Sequence, residues 1–146
     1  MKEWSVKPWV DVLKEYRDRG PEIAIEYCRA EEKFVLDANR DQLYLRGIDA
    51  SGNSLGNYSP YTVQYKISVG APYDRVTLKD EGDFHASFFV EYDGDRLTIY
   101  ADDVKTASLV RRYGPDILGL NFSSMEELAD RIQPRILEDF TEKMRA

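Results

Sequence analysis

The chain has 146 residues, of which 42% are apolar and 32% charged, with a formal charge of −7. That length supports one continuous core and a single domain over residues 1–146, and ten Tyr, six Phe and two Trp exclude a disordered polymer, because aromatic burial offsets chain entropy. The acidic balance excludes a phosphate-gripping role and predicts no tight nucleic-acid binding, while a lone Cys28 excludes an intrachain disulfide or a cysteine metal cluster.

The first ten residues, MKEWSVKPWV, hold no uninterrupted apolar core and no small-residue cleavage site, and no apolar run reaches membrane-spanning length. The expectation is neither a secretory signal nor a membrane anchor. Trp9, Val12, Leu13 and Tyr16 fall at helical spacing behind Pro8, which predicts an amino-terminal arm or short helix within residues 1–20. Gly20-Pro21 is read as its stop, and Pro21-Glu22 as the first turn of a long helix over 21–46. Ile23, Tyr27, Ala30, Phe34 and Ala38 form its stripe, with Ala24, Cys28, Glu31 and Val35 alongside, and Gly47 is its cap.

Residues 47–101 are expected to hold a loop, a short helix and the sheet. Asp49, Ser51 and Asn53 have the spacing of a calcium loop, yet Ser54 stands where the sharp turn needs glycine and Pro60 where a bidentate glutamate belongs, so plain turn chemistry is expected. Ser59-Pro60 reads as a cap and first turn leading YTVQYKISV toward Gly70. Val76–Leu78 reads as a strand, Asp80–Asp83 as a turn, and Phe84–Ser87 as a helical turn. Asp93-Gly94, between alternating apolar residues, is the strongest signal in the chain and predicts a hairpin at about 87–92 and 95–101. With Tyr92 opposite Asp95, Val90 faces Leu97 and Phe88 faces Ile99, while Glu91 meets Arg96 on the other side.

Residues 102–146 read as carboxy-terminal helices. Asp102 or Asp103 caps one carrying Val104, Ala107, Leu109, Val110 and Tyr113 up to Gly114-Pro115. Ser123 and Ser124 precede Glu126 and Glu127 at capping-box spacing, and Pro134 is expected to bend the last helix or split it in two. The predicted class is α+β: a small antiparallel sheet with the hairpin at its centre, packed against the long helix and flanked by shorter helices and a carboxy-terminal one.

The search for chemistry yields little. His85 is the sole histidine, and Ser87 near it has neither a nucleophile elbow nor an oxyanion-hole motif, so a hydrogen-bonded structural histidine is expected. Asp80, Glu81 and Asp83 in one turn and Asp102 and Asp103 in another could bind a metal or work as acid and base, but turns and helix starts also favour acids. No GxxxxGK[ST] or GxGxxG pattern occurs, and no cofactor is implied. Tyr58, Tyr61 and Tyr65, with Trp4 and Trp9, are the candidate protein-interface residues, since Tyr and Trp favour surfaces with one dry and one wet end.

Three colinear segments resemble a family. Asp49 to Asn53, Leu55, then Tyr58-Ser59-Pro60-Tyr61-Thr62 and Lys66 is similar to the DG, LSP-T and K stretch of the phage virion-morphogenesis, or tail-completion, family. Leu78-Lys79-Asp80-Glu81-Gly82-Asp83-Phe84 with Ser87 resembles its L-x-DTG-x-L-x-x-S signature, with Glu81 in place of threonine. Leu109–Gly114 resembles its short helix ending in hQFG, with Arg112-Tyr113 departing from it, and Ile117-Leu118-Gly119-Leu120 resembles FLGL. The resemblance implies a noncatalytic part of a tailed phage or prophage that finishes the tail or joins it to the head. It would act in the virion, and in the host cytoplasm during assembly, through contacts with other virion or tail subunits and in a homo-oligomeric ring. A small cytosolic protein-binding module or regulator of prophage origin is the alternative reading, and a metal-assisted hydrolase using the acidic turns is the third.

Overall fold

The computed structural model describes residues 2–146. In chain order it contains α1 (Lys7–Ala30), α2 (Glu32–Arg46), α3 (Pro60–Ser68), α4 (Asp83–Ala86), β1 (Phe88–Asp93), β2 (Arg96–Ala101), α5 (Thr106–Tyr113), a 3-10 turn at Pro115–Ile117, and α6 (Phe122–Arg145). The fold is α+β, with helices around a two-stranded antiparallel sheet. No helix among the described residues is long and apolar enough to cross a membrane.

The amino-terminal half departs from the expected short helix followed by one over 21–46. Gly20-Pro21 bends the chain without ending the helix: only Arg19 leaves helical geometry (φ −118°, ψ 15°), and α1 runs on to Ala30. Pro21 has no amide hydrogen and its ring crowds the carbonyl a turn earlier, so the turn before it opens while Pro21 restarts the helix. The helical run breaks instead at Glu31 (φ −102°, ψ 21°), which separates α1 from α2. There the Glu31 carboxylate accepts from Arg135 at 3.0 Å and from Arg131 at 3.4 Å, both on α6. Gly47 closes α2 in the left-handed conformation (φ 60°), as its sequence position requires.

α2 is the spine of the core. Val35, Asn39, Gln42 and Leu43 are its buried residues, a face rotated from the apolar stripe read in the sequence. Leu43 packs with Phe84, Phe88 and Ile117, edged by Leu36, Leu55, Leu109 and Leu118. Each fully covered aliphatic side chain contributes roughly 1.5–3 kcal/mol. The two amides do more than fill space. Asn39 Nδ2 donates to the Ile117 carbonyl at 3.0 Å and its Oδ1 accepts from the Gly119 amide at 2.8 Å. Gln42 Nε2 donates to the Gly119 carbonyl at 3.1 Å and its Oε1 accepts from the Asn121 amide at 2.8 Å. A stretch with no ladder of its own is thereby given its backbone partners.

That clamp also sets where α6 begins. Asn121, held by Gln42, caps the helix through Oδ1 and the Ser124 amide at 2.9 Å, in place of the expected caps at Ser123 and Ser124. α6 is a single helix from Phe122 to Arg145, so Pro134 does not split it. Its antiparallel packing along α1, with Tyr16 edge-on to Phe140 at 5.0 Å, holds both sides of the proline in line.

The hairpin keeps the expected faces in a different register. Asp93 pairs with Arg96, Tyr92 with Leu97, Val90 with Ile99 and Phe88 with Ala101. The turn residues are therefore Gly94 and Asp95, with Gly94 (φ 59°) at the first central position that a type II′ turn gives to glycine. The shift relative to the sequence reading is two residues, so every side chain stays on its predicted face. Tyr92 anchors the sheet to α2 by donating to Glu32 at 3.0 Å, under the Arg29 guanidinium. Burial, then this bond, push its hydroxyl pKa up to about 12.

Val76–Leu78 is not a strand. Tyr58 Oη accepts from the Thr77 amide at 3.0 Å, the Thr77 carbonyl faces His85 Nε2 at 2.9 Å, and Leu78 adopts φ 56°. Side chains take the groups a ladder would use, and the left-handed residue ends any extended run.

Candidate protein interface

Two surfaces gather the residues singled out by the sequence. The first surrounds α3. Ser59 caps this helix by accepting from the Thr62 amide at 3.3 Å, and Pro60 fills its first turn, so the helix presents Tyr61 and Tyr65 outward and Lys66 inward. Tyr61 is 85% exposed and Tyr65 50%, whereas Tyr58 is half-buried and spends its hydroxyl on Thr77. Of these three tyrosines, Tyr61 and Tyr65 are free to meet a partner, and Tyr58 holds the fold.

Lys66 was not foreseen as a site residue. It is only 6% exposed, donates from Nζ to the Lys79 carbonyl at 2.8 Å, and lies over the Tyr58 ring at 5.3 Å. It ties α3 to the segment ending in the acidic turn, and between them opens a cleft of about 340 Å³ lined by Tyr58, Tyr65, Leu78, Gly82, Phe84 and Tyr113 among others. Asp80, Glu81 and Asp83 stand at this cleft with Lys79 and Lys105. An apolar floor with charges of both signs around it can seat a side chain of another protein. A lysine as the one charged residue of this helix was the available signal, but spacing does not reveal that its head turns inward.

The second surface is the amino-terminal arm. Trp4 is 75% exposed and Trp9 42%, with Val6, Val10 and Leu13 also open to solvent. Trp9, Val10 and Leu13 lie on α1, which continues to Tyr16, where it meets α6. Beyond that junction Tyr16, Ile132, Ile136, Leu137 and Phe140 line an open apolar groove of about 400 Å³.

Of the residues weighed for catalysis and metal binding, His85, Ser87, Asp49 and Asp103 make structural hydrogen bonds. His85 Nε2 donates to the Thr77 carbonyl and its ring stacks on Phe88, while Ser87 Oγ donates to the Phe84 carbonyl at 2.8 Å. Burial holds the His85 pKa below its ordinary value, helped by Lys79 and Arg40 and opposed by the Thr77 bond. Asp49 Oδ1 accepts from the Ser51 and Asn53 amides at 3.0 and 2.9 Å, the turn chemistry expected of that loop. Asp103 likewise accepts from the Lys105 amide at 2.9 Å. Among the described residues, no group of three or more His, Cys, Asp and Glu side chains is placed to hold a metal ion. Cys28 is buried within α1, which raises its thiol pKa.

No protein-family model matches the chain, and neither a curated protein nor a solved structure does.

Proposed function

We propose that this chain is a noncatalytic structural subunit of a tailed phage or prophage, acting in tail completion or head–tail joining through protein–protein contacts. The observation that carries the reading is the cleft beside α3. Thr62 and Lys66 from one segment of the resemblance, and Leu78, Gly82 and Phe84 from the next, line it together although sequence separates them. Residues that carry the resemblance thus border one surface suited to a partner's side chain. The exposed aromatic arm supports the same role, since an assembly subunit needs apolar surface left over after folding. The ring-forming partners would be copies of the chain and other tail or virion subunits.

The charge of −7 suits a subunit near a DNA passage, where acidic walls repel phosphate and let DNA slide. The test is deletion of the gene from an inducible prophage, followed by electron microscopy of the lysate. Separate heads and tails that fail to join are expected; intact infectious virions at the parental titre would refute the role.

A further inference from the structure

We infer that the amino-terminal arm, Trp4–Leu13, docks in the α1–α6 groove of a second copy of this chain. The inference rests on the geometry of α1 and α6 and holds whether or not the protein belongs to a phage.

The arm cannot fill its own groove. α1 and α6 are antiparallel, and they meet where Tyr16 packs on Phe140 and Glu15 approaches Lys143 at 3.7 Å. From that junction the groove runs back along α6 through Ile136 and Ile132, whereas the arm runs the opposite way. Helical geometry holds from Lys7 to the kink at Arg19, so bringing Trp9 over Ile132 would require breaking α1. A neighbouring copy meets no such obstacle.

Size, charge and area favour that occupant. A cavity of about 150 Å³ holds a benzene ring, so a groove near 400 Å³ takes two ring-sized groups, and the arm offers two indoles. Glu126 and Asp130 continue the row of Gln133 and Leu137 along the groove's outer edge at helical spacing, and neither has an ion-pair partner among the described residues. Flanking the arm, Lys2 lies over the Trp4 ring, and Lys14, which feels Asp11 and Asp18 of its own helix but closes no ion pair among the described residues, can meet those acids. With up to about 250 Å² per large aromatic, the exposed fractions of the arm and of Leu137 amount to roughly 600 Å² per copy. The walls of the groove bring this toward the ~800 Å² per partner of an ordinary stable interface. That area is reached in reciprocal exchange, where each copy gives both its arm and its groove to the same partner and a two-fold dimer closes.

The experiment is sedimentation analysis of the full chain and two variants, with circular dichroism as the check on folding. One variant breaks the arm (Trp4→Ser with Trp9→Ser) and the other the groove (Leu137→Glu, at a position 60% exposed). The parent chain should self-associate, and each variant should weaken this by about tenfold or more. An equimolar mixture of the two should recover a heterodimer, because one contributes an intact groove and the other an intact arm. Lys14→Glu should weaken assembly at low salt, and Asp130→Lys added to it should restore part of the loss. A parent chain that remains monomeric to about 100 μM, or variants that assemble as it does, would overturn the inference. A monomeric chain whose deletion still leaves heads and tails unjoined would reject arm exchange while retaining the structural role.

Discussion

The α2 core and the α1–α6 helix pair are both built from amphipathic helices, yet they solve opposite problems. α2 sinks Val35, Asn39 and Leu43 out of contact with water, and both buried amides are fully engaged with the 117–121 backbone. In the α1–α6 pair only Cys28 is buried, and the two helices are joined by the Tyr16–Phe140 contact, the Tyr27–Asp139 hydrogen bond and the half-exposed Lys143–Glu15 pair. Exposed pairs of this kind are worth about 0–1 kcal/mol each. The first region spends its apolar surface on folding, and the second leaves much of it open to solvent.

The comparison is broken most directly at Asn39. Asn39→Ala leaves the Ile117 carbonyl and the Gly119 amide buried without partners, and should cost about 3 kcal/mol, read from the urea unfolding midpoint. A cost as small as that of a surface substitution would mean that the clamp is not where stability lies. Gly47→Ala should cost about 1–2 kcal/mol, because φ is +60° and an added Cβ would sit 3.0 Å from both Arg75 Cβ and the Val76 carbonyl oxygen.

On the other side of the comparison, Pro134→Ala should raise thermal stability, by about 1 kcal/mol or more, since it restores an amide to a helix interior. A lowered melting temperature would show that the proline is needed where it stands. The pH dependence separates the regions differently. His85 is neutral and buried, with its pKa held below the unfolded value of 6.5, so its contribution is complete above pH 6.5 and declines as pH falls below it. His85→Gln keeps a donor for Thr77 and should flatten the stability profile between pH 7 and 5, measured by denaturation at each pH; an unchanged slope would remove histidine from the account. The smallest effect is expected on the arm: Leu13→Ala should shift the stability of the isolated chain by less than about 0.5 kcal/mol.

The legible part of the fold is the part whose signals are local. The hairpin faces could be read because alternation involves only near neighbours and survives a two-residue register change, whereas the register depended on Gly94 taking the first turn position. The α3 cap at Ser59 and the α2 cap at Gly47 were readable because each is a property of one residue and its immediate neighbours. The face of α2 was misjudged because apolar periodicity gives no weight to Asn39 and Gln42, two of the residues that matter most. The expected strand at Val76–Leu78 failed because Tyr58 and His85, neither of them adjacent in sequence, take its backbone groups. Among the candidate interface residues, Trp4, Trp9, Tyr61 and Tyr65 are exposed, whereas Tyr58 is half-buried, and the inward turn of Lys66 was invisible.

Composition and local pattern alone determined an acidic α+β chain with a glycine-turned hairpin, capped helices and enough aromatic residues to exclude disorder. Tertiary structure decided which helical face is buried, that Pro21 and Pro134 are carried within helices, and that one apolar groove stays open. The reason is physical: caps and alternation are set by neighbours along the chain, whereas the burial of an amide, a lysine or a proline depends on partners that only the folded chain brings within reach.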